Sequence, residues 1–166
     1  MGDKIKNFWN AAKPYLFFSL LSLAVGGLSA LLSGGGMTTL YDEIVRPLLS
    51  PPPIVFPIVW TLLYSLMGIG AARVYLARDR DPAGARTALL LFALNLLVNF
   101  LWSPLFFGLR AFFPALLLIL VLDGVVIRMT SAFRRVDQTA ALLQIPYLLW
   151  LFFATYLTAS IWILNR

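Results

Sequence analysis

The sequence predicts an all-α integral membrane protein, a bundle of five transmembrane helices, and three observations carry that expectation. Apolar residues make up 61% of the 166, against about 45–50% in an ordinary soluble domain. Charged residues make up 12%, where roughly 25% is usual, too few to cover a water-soluble surface. The charges are clustered, and five apolar runs are long enough to cross about 30 Å of hydrocarbon, roughly 20 helical residues. One membrane domain over residues 1–166 accommodates all five.

The first span, Tyr15–Ser33, follows Lys4, Lys6 and Lys13. No small-residue cleavage site ends it, so it is expected to span rather than to act as a cleaved signal. The first loop, Gly34–Pro53, opens on Gly34-Gly35-Gly36 and closes on Pro51-Pro52-Pro53. Thr38–Arg46 is expected to form a short helix inside it, with Leu40, Ile44 and Tyr41 facing the membrane or the bundle. The proline triplet favours a stiff, extended entry into the second span, Ile54–Leu76. This loop is either a spacer or a functional lid. The third, fourth and fifth spans are Thr87–Gly108, Phe112–Phe133 and Thr139–Leu164. Pro57, Pro104, Pro114 and Pro146 fall within these runs or at their ends, where membrane helices tolerate them as kinks more than breaks. No internal repeat is visible, which argues against a repeat-built transporter.

Orientation follows from the basic residues. With five spans, the N-terminal segment, the second loop and the fourth loop share one side, and they hold ten of the thirteen Lys and Arg. Arg46, Arg110 and Arg166 lie on the other side. The positive-inside rule then places the N-terminus in the cytoplasm and the C-terminus outside. A bacterial cell membrane is the expected location. The net charge of +6 is accounted for as a topology signal, and no nucleic-acid partner is expected.

Function classes are excluded as firmly. The sequence has no cysteine and no histidine, so it lacks a thiol nucleophile, the commonest general base and the commonest ligands for zinc or haem iron. No metal site and no cofactor are expected. What remains is a small set of polar and aromatic side chains inside the spans. Asn95, Asn99 and Trp102 fall at i, i+4 and i+7 and share one helix face. Two amides in hydrocarbon turn that face inward, towards interhelical hydrogen bonds or towards a cavity. Phe56, Trp60 and Tyr64 form a second such face, and Tyr147, Trp150 and Ala154 a third. At 1.5 Å per residue Trp60 lies about 9 Å from the outer end of its span and Asn99 about 14 Å. These residues therefore gather in the half of the bilayer nearest the first loop, where a pocket would suit a flat, apolar ligand with polar edges.

Asp123 is the one acidic residue within a span, near the bilayer midplane, and an intramembrane carboxylate is a functional candidate. The bland alternative is a carboxyl hydrogen-bonded to a neighbouring helix, since Arg128 is five residues on and out of register for a pair. Ser22, Gly26 and Ala30, and Gly68 with Ala72, fit small-xxx-small spacing, serving either packing within the chain or a dimer seam.

Three segments resemble the translocator protein family, also called tryptophan-rich sensory proteins or peripheral benzodiazepine receptors. One runs from Tyr41-Asp42 through Arg46-Pro47 and Pro51-Pro52 to Phe56-Pro57-Ile58-Val59-Trp60 and Tyr64, Met67-Gly68. The others are Asn99-Phe100-Leu101-Trp102-Ser103-Pro104-Leu105-Phe106-Phe107-Gly108 and Ile145-Pro146-Tyr147-Leu148-Leu149-Trp150 with Ala154-Thr155. The resemblance implies a five-helix bundle, commonly a homodimer, that binds porphyrins and synthetic aromatic ligands in a pocket beneath the first loop. Carried over, it points to Trp60, Asn99, Trp102, Trp150 and Ala154 for the pocket, to Asn95 as a position where an amide is usual, and to Tyr41, Pro51 and Pro52 for the lid. Tyr64 and Tyr147 join the ligand-binding set on helical faces. Leu49 and Ile54 stand where tryptophans are usual, Thr158 replaces a common Asn, and the animal sterol-recognition pattern is absent from Ala154–Asn165.

The expected function is thus a membrane receptor or sensor for porphyrins and similar planar amphipathic molecules, which transports them or helps to degrade them. The alternatives are a small transporter or channel for another amphipathic metabolite, and a purely structural partner whose aromatic faces pack together. No catalytic set is visible. Light-dependent porphyrin breakdown, linked to some bacterial relatives, would be a secondary activity using Trp60 and Trp150.

Overall fold

The structure, a computed structural model, describes residues 2–34, 40 and 42–166, with residues 2–8 as backbone only. Among the described residues every regular element is helical. Helix α1 covers Gly2–Leu32, α2 Val55–Leu76, and α3 Pro82–Ser103, which continues as a π-helical turn, Pro104–Gly108. Helix α4 covers Phe112–Val136, and a short α5, Gln138–Leu142, precedes α6, Ile145–Leu164. Counting α3 with its π turn and α5 with α6, five helical segments are long and apolar enough to cross a membrane. Helices satisfy every backbone group without water, so this is an integral membrane bundle, as expected.

Two helices begin earlier than their apolar runs. Helix α1 starts at Gly2 and carries Pro14 within it. Helix α3 starts at Pro82, because the Asp81 carboxylate accepts a hydrogen bond from the Gly84 N–H at 2.9 Å and Pro82 occupies the first turn, where it sacrifices no helical bond. Apolar runs mark what lies in hydrocarbon, whereas caps mark where helices start.

The prolines leave carbonyls without their usual partners, and side chains repair the loss. Pro104 cannot donate to the Phe100 carbonyl, and Ser29 Oγ of α1 donates to that oxygen at 2.7 Å. One turn away Ser33 and Ser103 share a hydroxyl hydrogen bond of 2.8 Å. Near Pro146 the fifth span does break, contrary to the expectation of a kink. Leu143 and Gln144 form a turn, and the Gln144 N–H bonds Ala141 O instead of Ala140 O. The Gln144 side chain, fully buried, donates Nε2 to Ala140 O at 3.1 Å. It thus replaces the bond that its own backbone gave up.

Helix α1 packs on α2 and α3, α4 packs on α3 and α6, and α2 touches α6, so the helices close a ring in the order α1, α2, α6, α4, α3. The small residues of α1 and α2 serve this ring. A Cβ on Gly68 would lie 2.4 Å from Ser19 Cα, and one on Gly26 would strike the Tyr64 ring. Tyr147, Phe133, Met67, Ile119 and Leu151 fill the centre. Away from α2, α1 turns Phe17, Leu20, Leu28 and Leu31 outward, a lipid-facing wall.

Candidate functional site

Four of the phenols and amides singled out from the sequence join Met67 in one connected network that spans three helices. Tyr64 Oη of α2 donates to Asn99 Oδ1 of α3 at 3.1 Å. Asn99 Nδ2 donates to Tyr147 Oη of α6 at 2.9 Å, and Tyr147 Oη donates onward to Asn95 Oδ1 at 2.8 Å. Asn95 Nδ2 ends the chain on Met67 Sδ at 3.4 Å. Asn95, Asn99, Tyr64 and Tyr147 are all buried, where a polar group is costly unless paired. Their helical spacing aligns them: Asn95 and Asn99 stand one turn apart and reach the same phenol from above and below.

Trp60 covers this network with its ring. Its centroid lies 5.5 Å from that of Tyr64 and 6.2 Å from that of Tyr147. Trp150 sits half-buried one turn beyond Tyr147, edge-on to Phe56 at 6.0 Å and close to Phe153. Trp60 and Trp150 both pack against the cluster that Phe56 forms with Leu157. Ala154 is buried in the main core one turn from Trp150. Trp102 stands apart from the network, stacked on Phe106 at 4.9 Å and edge-on to Phe107. The indole N–H groups of Trp102 and Trp150 are both buried and have no hydrogen-bond partner among the described residues.

From residue 42 on, the described part of the first loop meets the end of the bundle at which α6 finishes. Asn165 clasps Val45 from both sides, accepting from its N–H at 2.8 Å and donating to its carbonyl at 3.0 Å. Tyr156 Oη donates to Leu48 O at 3.0 Å, and Leu40 and Pro47 are buried. Ile44 closes a helical turn on Leu40. Glu43 pairs with Arg110 of the loop between α3 and α4. The hydrogen bond from that guanidinium, and then its charge, hold the Glu43 carboxyl below its ordinary value of 4.5. Pro51 is half-buried and Pro52 exposed, where its carbonyl accepts from the Val55 N–H at the start of α2. Leu49 is exposed with φ 71°. Tyr41, assigned to the lid from the sequence, lies outside the described residues.

Asp123 accepts a hydrogen bond from Thr155 Oγ1 at 2.9 Å through Oδ2, while its buried Oδ1 has no partner among the described residues. At the opposite end, Arg73 of α2 grips Asp137 with two parallel bonds, 3.0 and 2.9 Å. Asp137 also accepts from the Ala140 N–H to cap α5. Burial works against its charge, but these partners prevail and keep the carboxyl below its ordinary value of 3.8.

Sequence reasoning missed Met67 as the terminus of the network, Thr155 as the partner of Asp123, and Asn165 as the clasp of the loop. An amide at the very end of the last span was the available signal for Asn165, because it costs least to bury if it has backbone to hold.

The family model of the TspO/MBR family matches residues 18–163. The chain is 36% identical over 145 residues to the tryptophan-rich protein TspO of Chlorobaculum tepidum, covering 87% of this chain and 91% of that one. It is 36% identical over 141 residues to protein CrtK of Rhodobacter capsulatus, covering 84% and 85%. With the human translocator protein the identity is 34% over 154 residues, covering 93% and 89%.

Proposed function

The chain belongs to the TspO/MBR family of membrane proteins, and on that premise we propose that it is a receptor for porphyrins and similar planar amphipathic ligands, held between α2, α3 and α6 beneath the first loop. The observation that carries this reading is the buried indole donor of Trp150, unpartnered among the described residues, beside Phe56 and the Trp60-covered network. A buried donor without an acceptor costs free energy, and a ligand carrying carbonyl or carboxylate edges supplies one. The network of Asn95, Asn99, Tyr64 and Tyr147 adds a polar floor, and Trp60 and Phe56 add faces for stacking.

In the free chain these rings rest on one another, so a flat ligand enters by exchange. Its ring replaces the Trp60–Tyr147 and Phe56–Trp150 contacts, and the loop clasped by Asn165 shuts out lipid and water above it. With no histidine or cysteine to ligate haem iron, a metal-free porphyrin held by stacking is the better match. We place the N-terminus in the cytoplasm of a bacterial cell on the strength of the basic asymmetry, and take the working unit to be a homodimer.

Tryptophan-emission titration with protoporphyrin and with a sterol, side by side, tests the reading. Protoporphyrin should quench saturably and the sterol should not. Asn99→Leu should weaken porphyrin binding by on the order of 1–3 kcal/mol, a typical cost of removing a buried polar partner. Trp9→Phe, remote from the site, should leave the binding curve unchanged. Equal, non-saturable quenching of all variants would remove the pocket from this part of the bundle.

A further inference from the structure

We propose that the groove between α3 and α4 is a binding site for an anionic glycerophospholipid, gripped by Arg128 and Arg135. The groove encloses about 460 Å³. Its upper wall is apolar, formed by Leu90, Leu91 and Leu94, and its lower wall carries Arg128, Ser131 and Arg135, with no acidic residue in the lining. Those three α4 residues fall at i, i+3 and i+7 and form one stripe.

Three other arginines have acidic partners close by. Arg73 is paired with Asp137, Arg110 with Glu43, and Arg78 lies near Asp79 and over the Tyr75 ring. Arg128 and Arg135 form no ion pair among the described residues, and both are exposed on the outer face of the bundle. Helix α4 has 25 residues, roughly 37 Å of helix against about 30 Å of hydrocarbon. Arg128 is eight residues from the last residue of α4, about 12 Å along the axis, so its backbone lies within the bilayer. A guanidinium that starts at that depth is costly unless it snorkels to the interface or meets an anion.

A phospholipid supplies that anion where it is needed. Its phosphate can bridge Arg128, reaching toward the interface, and the interfacial Arg135, about 10 Å further along the helix, each by a charge-assisted fork. Its acyl chain then lies along Leu90, Leu91 and Leu94. The Ser131 and Thr87 hydroxyls already donate to the Ile127 and Ala83 carbonyls, so the two guanidiniums are the donors. The site is separate from the Trp60–Tyr147 network and does not depend on any ligand there.

Protein exchanged into micelles of mixed phosphatidylglycerol and phosphatidylcholine, then weighed by native mass spectrometry, tests the proposal. Wild type should retain phosphatidylglycerol in preference, and each arginine replaced by Gln should lower the preference roughly fivefold, as expected for a basic residue at the membrane surface. Arg128→Gln/Arg135→Gln should therefore retain the two lipids alike. Leu94→Trp, which fills the groove and keeps both charges, should lose retained lipid of either kind. Arg80→Gln, a basic residue outside the groove, should behave as wild type. Should the double variant fail to purify, Arg135→Gln alone is measured, with the single fivefold loss expected. Equal retention of both lipids by wild type, an unchanged preference in the arginine variants, or an equal loss in Arg80→Gln would each overturn the site.

Discussion

Replacing Tyr147 by Phe removes one oxygen and, with it, two buried hydrogen bonds. That oxygen accepts from Asn99 at 2.9 Å and donates to Asn95 at 2.8 Å, and the ring around it is fully buried. Each such bond contributes about 0.5–1.5 kcal/mol net, and bonds between membrane helices average about 0.6 kcal/mol. The loss should therefore fall at about 1–3 kcal/mol. Tyr64→Phe removes a single, longer bond of 3.1 Å to the same Asn99 and should cost about half as much. Reversible unfolding in mixed detergent micelles measures both, and a double-mutant cycle of Tyr147→Phe with Asn99→Leu should return a coupling of about 0.5–1.5 kcal/mol. If Tyr147→Phe is as stable as wild type, or loses no more than Tyr64→Phe, the phenol is not the hub linking α3 to α6.

Gly68→Ala should destabilise the bundle by about 1–3 kcal/mol, because its new methyl meets the α1 backbone and nothing flexible can yield; an unchanged melting curve would refute the close α1–α2 seam. Asn165→Ala should speed hydrogen exchange at the Val45 amide, whose acceptor it removes, while leaving the exchange of helix cores unaltered. Because the Glu43 carboxyl is held below 4.5, its contribution to the loop is complete above that ordinary value and is lost as pH falls through the lowered one. Loop exchange, corrected for intrinsic rates, should thus be steady down to about pH 5 and loosen only in stronger acid. Arg110→Gln should abolish that acid-dependent step.

Much of the bundle was legible because hydrocarbon allows few solutions: five long apolar runs must be helices. The face shared by Asn95 and Asn99 was likewise legible, since two amides a turn apart cannot both look at lipid. Periodicity does not say which helix a face meets, however, so the meeting of Asn95 and Asn99 at Tyr147, rather than at a residue of α4, depends on the order of helices around the ring. The start of α3 and the turn before α6 share one physical origin. Asp81 and Gln144 act through single hydrogen bonds to backbone, at Gly84 and Ala140, and an apolarity count is blind to such bonds. The clasp by Asn165 joins residues 120 positions apart, a closure that only the folded bundle reveals.

The bond from Ser29 to the Phe100 carbonyl has a bearing on how the chain is made. As it leaves a translocon, α3 carries an orphaned peptide oxygen at Phe100, which in lipid costs several kcal/mol. Alone, it is a poor candidate for partition into the bilayer. Its remedy resides on α1, which is synthesised first and is already available when Pro104 emerges. Ser29→Ala should accordingly disturb biogenesis more than it disturbs the finished protein, leaving a larger share of nascent chains with α3 uninserted, as a glycosylation-site reporter between α3 and α4 would record.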